Sequence, residues 1–266
     1  MTILPDIEII TEIIQRLSIS IIFLILLIAL ARWQKIELEK MFIWSFTRGL
    51  VQIVIMALIL VFIFTLTDIF LLVVVLLFMC FFAAYTIKQR FPYPRVFTIE
   101  SIAITLGSFS IISIAVILEI IPLKGEYIIP MGGMVIANVM VMTGIVLERL
   151  ISDVKKSQGY IEAALALGDS PWNSVKNVTK ESYRAALIPT TNRVAVLGIV
   201  TIPGLMSGMI IGGTNPLLAA AYQIIIFLMI LTSGFIGSII LVFFFIKELF
   251  TAEDQLNLLL LQKSRS

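Results

Sequence analysis

The feature that most constrains this chain is a stretch of 53 residues, 194–246, that contains no charged side chain. A helix needs about 20 apolar residues to cross a bilayer core, so this stretch is long enough for two crossings. The sequence GGTNP at 212–216 is the predicted turn between them, since Gly, Asn and Pro together favour a break. Composition agrees, because 60% of the residues are hydrophobic and 14% are charged, against about 45–50% and about 25% in soluble domains. The chain is therefore predicted to be an all-α, polytopic membrane protein.

Five further apolar segments are predicted to span the membrane. The first can be extended backwards past Arg16, and Glu100 is the only charge in the fourth. The total is about seven transmembrane helices. The N-terminal residues before the first span are acidic rather than basic, so that span is predicted to be a retained helix and not a secretory signal. The five segments are 17–31, 49–67, 69–87, 96–118 and 127–147.

Positive charge is concentrated on one side of the predicted helices. The segments 32–48, 88–95 and 148–193, together with the residues from 247 onward, carry seventeen of the nineteen Lys and Arg residues. Only Arg16 and Lys124 fall on the other side. By the positive-inside rule the basic side is cytoplasmic, so the N-terminus is predicted to lie outside and the C-terminus inside. An odd number of helices also requires opposite termini, and the two predictions agree.

These spans predict a simple domain organisation in the cell (plasma or inner) membrane. Residues 1–250 form a transmembrane domain, with a cytoplasmic segment, 148–193, inserted between helices five and six. Residues 251–266 form a cytoplasmic tail, predicted to be a short helix. Segment 33–47 is amphipathic enough to lie along the inner membrane surface before helix two begins.

The cytoplasmic segment contains IEAALALGDSPWNSVKNV, residues 161–178, which is far less apolar than the chain around it. Glu and Ala favour helix formation, and a Gly that follows after three intervening residues ends a helix by accepting a left-handed conformation. A second helix is predicted to start at Asp169-Ser170-Pro171, with a polar N-cap and Pro in its first turn. The pattern resembles the coupling helix of ABC transporter permeases, which docks in a cleft of an ATPase subunit. The residues assigned to this contact are Glu162, Ala163, Ala164, Leu165, Leu167, Gly168, Pro171 and Trp172.

An ordinary surface helix is the alternative interpretation, since a bare Glu-Ala-Ala triplet is common. The longer run EAALALGDSPW in the largest cytoplasmic loop favours coupling. The sequence contains no G-x-x-x-x-G-K-[ST] motif, so the chain is not predicted to be an enzyme or to bind a cofactor. ATP and Mg²⁺ would be bound by a partner ATPase. Such ATPases work in pairs, so the simplest assembly is a homodimer of this chain with two ATPases in the lipid bilayer, without a nucleic-acid partner.

Several longer blocks resemble one particular family of ABC permeases. They are RAALIPTTN at 184–192, GIVTIPGLMSGMIIGGTNPLLAAAYQI at 198–224, IPMGGMVIAN at 129–138 and KIELEKMFIWSFTRGLVQIVI at 35–55. In this order, over nearly the whole chain, they are similar to the FetB-type permease family. The resemblance implies an ABC membrane subunit implicated in iron export and similar to plant proteins linked to aluminium tolerance.

Small residues in the sixth predicted helix are candidates for helix packing or for the transport pathway. Gly204, Gly208 and Gly212 are spaced four apart, which lets helices approach closely. Pro203 permits a kink just before them. A static helix contact and a hinge both remain open, and the dimer interface or the pathway-lining helix is the favoured location.

Polar residues within the spans are the remaining pathway candidates. Arg48 and Gln52 share a face of helix two, where Arg48 is placed to reach lipid phosphates. Glu100 lies either in the pathway or at the inner interface, and an intramembrane carboxylate is a functional candidate. Uncharged polar residues are more often contacts between helices than ligands, and no spacing defines a metal site. Those assigned as candidates are Asn138, Asn192, Tyr222 and Gln223.

Three functions are consistent with these features. The first is an exporter permease that moves a metal ion or a metal-linked solute outward. The second is an importer permease that works with an external solute-binding protein, because Glu-Ala-Ala loops are commonest among importers. The third is a membrane scaffold or regulator that recruits an ATPase without moving solute.

Overall fold

The computed structural model describes residues 7–63, 68–251 and 253–257, and every long element among them is helical. Two compact units are distinguished, Met1–Thr65 and Leu66–Ser266. Six helices in the described chain are long and apolar enough to cross a membrane. The chain is thus an all-α, multi-pass membrane protein, as predicted. The predicted seventh span is not confirmed, and neither is the orientation of the termini.

The first unit contains two helices, α1 (Ile7–Trp33) and α2 (Glu39–Ile63). A short turn joins them, in which Lys35 and Glu37 both adopt positive φ. Arg32 and Glu39 approach to 3.9 Å across this turn. The predicted surface segment 33–47 is not a separate element, because α2 already begins at Glu39. The second predicted span, 49–67, overlaps α2, and its last four residues, 64–67, lie outside the described residues.

The second unit is built around four long helices. They are α3 (Ile69–Arg90), α4 (Val96–Ile117), α5 (Gly125–Lys156) and α10 (Pro216–Leu249). Both α4 and α5 pack extensively against α10, and α3 packs against α4 and α5. The first three begin within two residues of the predicted spans, but α5 continues nine residues past its predicted end. The apolar pattern marks the part of a helix that lies in lipid and does not mark where the helix stops.

Four shorter helices lie between α5 and α10: α6 (Gln158–Ala166), α7 (Pro171–Ser174), α8 (Lys176–Ala195) and α9 (Gly204–Ile211). The predicted turn at 212–216 is confirmed, because α9 ends at Ile211 and α10 begins at Pro216. The region 194–211, however, is not one helix. Gly198 has a φ of +79° and its N–H donates to the Thr201 carbonyl oxygen at 2.9 Å, which breaks the helix.

The described part of the tail folds back instead of continuing as the predicted helix. Phe250 pairs with Leu256 in an isolated antiparallel bridge. The Thr251 N–H donates to the Gln255 carbonyl oxygen at 2.8 Å, and the Asn257 N–H donates to the Leu249 carbonyl oxygen at 2.8 Å. Leu256 is buried and belongs to the core cluster that contains Leu249 and Phe250. We call residues 249–257 the C-terminal turn.

Candidate functional site

The predicted coupling segment forms two short helices joined at Gly168, which we call the elbow (residues 158–174). Gly168 has a φ of +88°. Its N–H donates to the Leu165 carbonyl oxygen at 3.0 Å, and the Asp169 N–H donates to the Ala164 carbonyl oxygen at 3.0 Å. This pair of hydrogen bonds is the Schellman motif, which ends a helix with a left-handed residue. The predicted glycine cap of α6 is therefore confirmed.

The second helix of the elbow starts as its sequence predicts. Ser170 is the N-cap of α7, and its hydroxyl oxygen accepts a hydrogen bond from the Asn173 N–H at 3.3 Å. Pro171 occupies the first turn, where its missing N–H has no consequence. Asp169 accepts from the Ser170 N–H at 2.9 Å. These local bonds fix the angle between α6 and α7.

Buried side chains anchor the elbow to the long helices. Ile161 and Val175 are both fully buried, in the same core cluster as Leu150 of α5. Trp172 packs edge-on against Phe243 of α10, with ring centroids 6.4 Å apart. A displacement of the elbow would therefore act directly on α5 and α10.

The opposite face of the elbow is exposed and carries most of the predicted contact residues. Leu167 is 89% exposed. Glu162 and Ala163 are also exposed, and the Glu162 carboxylate accepts from the Gln158 side-chain amide at 2.8 Å. Leu165 differs from Leu167, because it is half-buried against the core cluster.

A cleft of about 610 Å³ lies between the elbow and the C-terminal turn. Leu165, Ala166 and Gly168 form one wall and Gln255 and Leu256 the other. Its lining also includes four carboxylates, which give this part of the surface a negative charge. They are Glu162, Asp169, Glu253 and Asp254.

The predicted polar pathway residues of the second unit are not gathered in one place. Asn138 donates its side-chain amide to the Met134 carbonyl oxygen of its own helix at 2.8 Å. Asn192 lines a cleft of about 410 Å³ beside Tyr183 and Phe235. Tyr222 lies at the start of α10, with its ring 6.2 Å from that of Tyr127. No group of three or more His, Cys, Asp or Glu side chains in the described chain could hold a metal ion.

Glu100 and Gln223 are buried pathway candidates with unsatisfied oxygen atoms. Glu100 has no exposed surface, and neither of its carboxyl oxygens accepts a hydrogen bond. The side-chain oxygen of Gln223 is likewise buried without a partner. Glu100 is therefore buried within the second unit. Arg48 and Gln52 belong to α2 in the first unit, where Arg48 is half-buried and Gln52 exposed.

The predicted small-residue face is open rather than packed. Pro203 precedes α9 as its N-cap residue. A Cβ added at Gly204 or Gly208 would meet nothing within 4 Å, and one at Gly212 would meet only carbonyl oxygens of its own helix end. Within the described chain these glycines are therefore not a helix-packing site.

The close glycine contact lies elsewhere, between α4 and α10. A Cβ on Gly107 would be 2.9 Å from both Cα and N of Gly237. One on Gly237 would be 3.2 Å from the Ala103 carbonyl oxygen. Sequence reasoning missed this pair, because neither glycine belongs to a Gly-x-x-x-Gly repeat. Gly107 is the only glycine of its apolar run, and Gly237 follows Gly234 by three residues in α10.

Comparison with known proteins identifies relatives along most of the chain. Residues 14–250 match the model of a group described as "Uncharacterised protein family (UPF0014)". The chain is 31% identical over 253 residues to "Probable iron export permease protein FetB" of Escherichia coli strain K12, covering 94% of this chain and 96% of that protein.

Two plant proteins are similarly related. "UPF0014 membrane protein STAR2" of Oryza sativa subsp. japonica is 32% identical over 231 residues, which cover 86% of this chain and 81% of the relative. "Protein ALUMINUM SENSITIVE 3" of Arabidopsis thaliana is 30% identical over 239 residues, which cover 90% and 88%. No solved structure matches the chain.

Proposed function

Because this chain belongs to the UPF0014 family, we propose that it is the membrane subunit of an ABC transporter and that a separate ATPase subunit docks on its elbow. The observation that carries this proposal is the form of the elbow. Its exposed face combines the side chain of Leu167, the narrow Ala163 and the carboxylates of Glu162 and Asp169, while its base is anchored in the core. A rigid, partly apolar projection of this kind suits a groove in another protein.

The anchors of the elbow suggest how ATP-driven movement would reach the membrane. Ile161 and Val175 connect it to the core around α5, and Trp172 connects it to Phe243 on α10. Densely packed side chains transmit displacement because protein interiors are nearly incompressible. A push on Leu167 would therefore tilt α5 and α10 together.

We propose that the cargo is a metal ion or a metal-linked solute and that transport is outward. The support is the printed name of the Escherichia coli relative, which specifies iron export. Iron is therefore the first ion to test. The name of the Arabidopsis thaliana relative makes aluminium the second.

We also propose seven crossings, with the elbow on the cytoplasmic side. The contact between Tyr127 and Tyr222 places the first residues of α5 and α10 at the same end of the second unit. Since α5 has 32 residues and is about 48 Å long, the chain from 157 to 215 has to return across that thickness. The segment α8–α9 would make this return as one interrupted crossing, which brings the number of crossings to seven.

The interruption supports the proposed homodimer. Residues 196–203 are irregular, and Ile199 within them is 94% exposed. Irregular backbone at membrane depth is tolerated only where protein covers it or where it lines a cavity. The open glycine face of α9 follows directly, so a second copy of this chain is the proposed cover for both.

The docking proposal is tested by pull-down of an ABC ATPase co-expressed from the same genome. Glu162→Arg and Gly168→Trp should abolish co-purification, because the first reverses the charge of the docking face and the second destroys its cap. Glu126→Arg is the matched control, since it reverses an exposed carboxylate at the other end of α5. Undiminished binding by both elbow variants would remove the coupling assignment.

The transport proposal is tested in proteoliposomes that contain the chain and its ATPase. ATP-dependent movement of iron or aluminium ions away from the ATPase side is the expected result. Movement toward that side only with an added solute-binding protein would indicate an importer. ATP hydrolysis without movement of any ion would indicate a scaffold.

A further inference from the structure

The most unusual side chain in the membrane-spanning part of the second unit is Glu100 on α4. It is the only charged residue within α4. It has no exposed surface, and both of its carboxyl oxygens lack a hydrogen-bond partner. Thr143 of α5 faces the carboxyl group, but its hydroxyl donates instead to the Met140 carbonyl oxygen at 3.2 Å. A buried carboxylate ion without a partner is strongly unfavourable, so this group binds a cation or a proton.

The surroundings of Glu100 do not provide a cation. Arg95 precedes Glu100 by five residues, or about 7.5 Å along the helix axis. Its guanidinium is paired with the Glu248 carboxylate at 2.8 Å. Arg90 is similarly paired with Glu148 at 2.8 Å. The other charged and titratable groups toward this end of the packed helices are Cys80, Tyr85, Lys88 and Arg90 on α3, Arg95 at the N-cap of α4, Glu148 and Arg149 on α5, and Lys247 and Glu248 on α10.

The surroundings also do not suit a metal ion. No cluster of three or more acidic, Cys or His side chains occurs in the described residues. The hydroxyl of Ser101, next to Glu100, is occupied by a bond to the Phe97 carbonyl oxygen at 2.7 Å. One carboxylate with occupied hydroxyls cannot replace the six or so oxygens of a hydrated hard cation.

The packing around Glu100 makes its access to water dependent on helix movement. One turn further along α4, the Ala103 carbonyl oxygen and the methyl group of Thr143 both lie against Gly237 of α10. Beyond them Gly107 meets Gly237 backbone to backbone. This three-helix seam of α4, α5 and α10 is closely packed, and separation of the helices would expose the carboxyl group.

We propose that Glu100 is a proton-binding site of the transport cycle. In the present conformation the carboxyl group holds a proton, and when the seam opens it releases that proton to water as a carboxylate. Closure of the seam requires that one proton be taken up again. The role of Glu100 in transport rests on the proposed function, whereas the presence of the bound proton does not.

Infrared spectroscopy of the chain alone, in lipid nanodiscs, tests the bound proton. The wild type should show the carbonyl-stretch band of a protonated carboxylic acid, and the band should shift in D₂O. Glu100→Gln keeps the shape of the side chain and should lose the band, whereas Glu126→Gln, at an exposed position, should retain it. Absence of the band in the wild type, or its persistence in Glu100→Gln, would overturn the proposal.

The role in transport is tested by the pH dependence of ATP-driven flux in proteoliposomes. Wild-type flux should change by up to about tenfold per pH unit over the range in which one proton is exchanged. The Glu100→Gln profile should be flat over the same range. Identical profiles would show a purely structural carboxyl group and refute the exchange. The infrared measurement needs no ATPase, so failure of ATPase docking would count against the proposed function alone.

Discussion

At the scale of single residues, the elbow contains one large apolar side chain that is buried and another that is exposed. Ile161 has no exposed surface and fixes the elbow to the core, whereas Leu167, six residues later, is 89% exposed. A solvent-exposed leucine contributes nothing to the fold of the isolated chain. The two positions therefore separate folding from the proposed docking.

Replacement of these two residues should have opposite effects. Leu167→Asp should change the free energy of unfolding by no more than about 0.5 kcal/mol but should abolish ATPase binding. Ile161→Ala should lower the free energy of unfolding by about 2–5 kcal/mol, because it leaves a cavity in the core. Thermal unfolding of the purified chain and pull-down of the ATPase measure the two effects. Equal destabilisation by both variants would contradict the proposed division of roles.

At the scale of helices, sequence predicted the elements better than their contacts. The spans, the GGTNP turn and the cap at Gly168 depend on neighbouring residues, which a sequence displays directly. The unsatisfied carboxyl group of Glu100 and the Gly107–Gly237 contact depend on which helices meet, and hydropathy carries no such information. The break at Gly198 was missed because an apolar run looks the same whether its helix is continuous or interrupted.

The two classes of glycine should respond differently to an added methyl group. Gly107→Ala should lower the free energy of unfolding by about 1–3 kcal/mol, because the Gly237 backbone cannot move aside as a side chain could. Gly208→Ala should leave the single chain equally or more stable, since alanine favours helix and its Cβ meets nothing. Thermal unfolding tests both variants. A bulkier Gly208→Leu should additionally reduce the dimer fraction in light scattering, whereas an unchanged fraction would exclude α9 from the dimer interface.

At the scale of the whole chain, polarity and charge divide the molecule across the membrane. The six candidate spans supply the apolar bulk, and seventeen of the nineteen basic residues fall in segments predicted to be cytoplasmic. The elbow lies among these basic segments, and Glu126 and Tyr127 lie at the opposite end of α5. The proposed orientation therefore has measurable consequences at each end of one helix.

Thiol labelling in right-side-out membrane vesicles should report this orientation. In a Cys80→Ser background the chain has no other thiol, so Glu126→Cys should react with an impermeant maleimide in sealed vesicles. Glu162→Cys should react only after the vesicles are permeabilised. The reverse pattern would invert the orientation, and labelling of both in sealed vesicles would mean that the elbow and the start of α5 share one side.

The C-terminal turn has a consequence for the order in which this protein is made. Leu249, Phe250 and Leu256 complete the core cluster that holds Ile161 and Val175 of the elbow region. A nascent chain that has emerged only as far as α9 would display the elbow without this support. The proposed docking surface would thus mature only after residue 256 has left the ribosome, and premature recruitment of an ATPase to a half-inserted chain would be disfavoured by the sequence order itself.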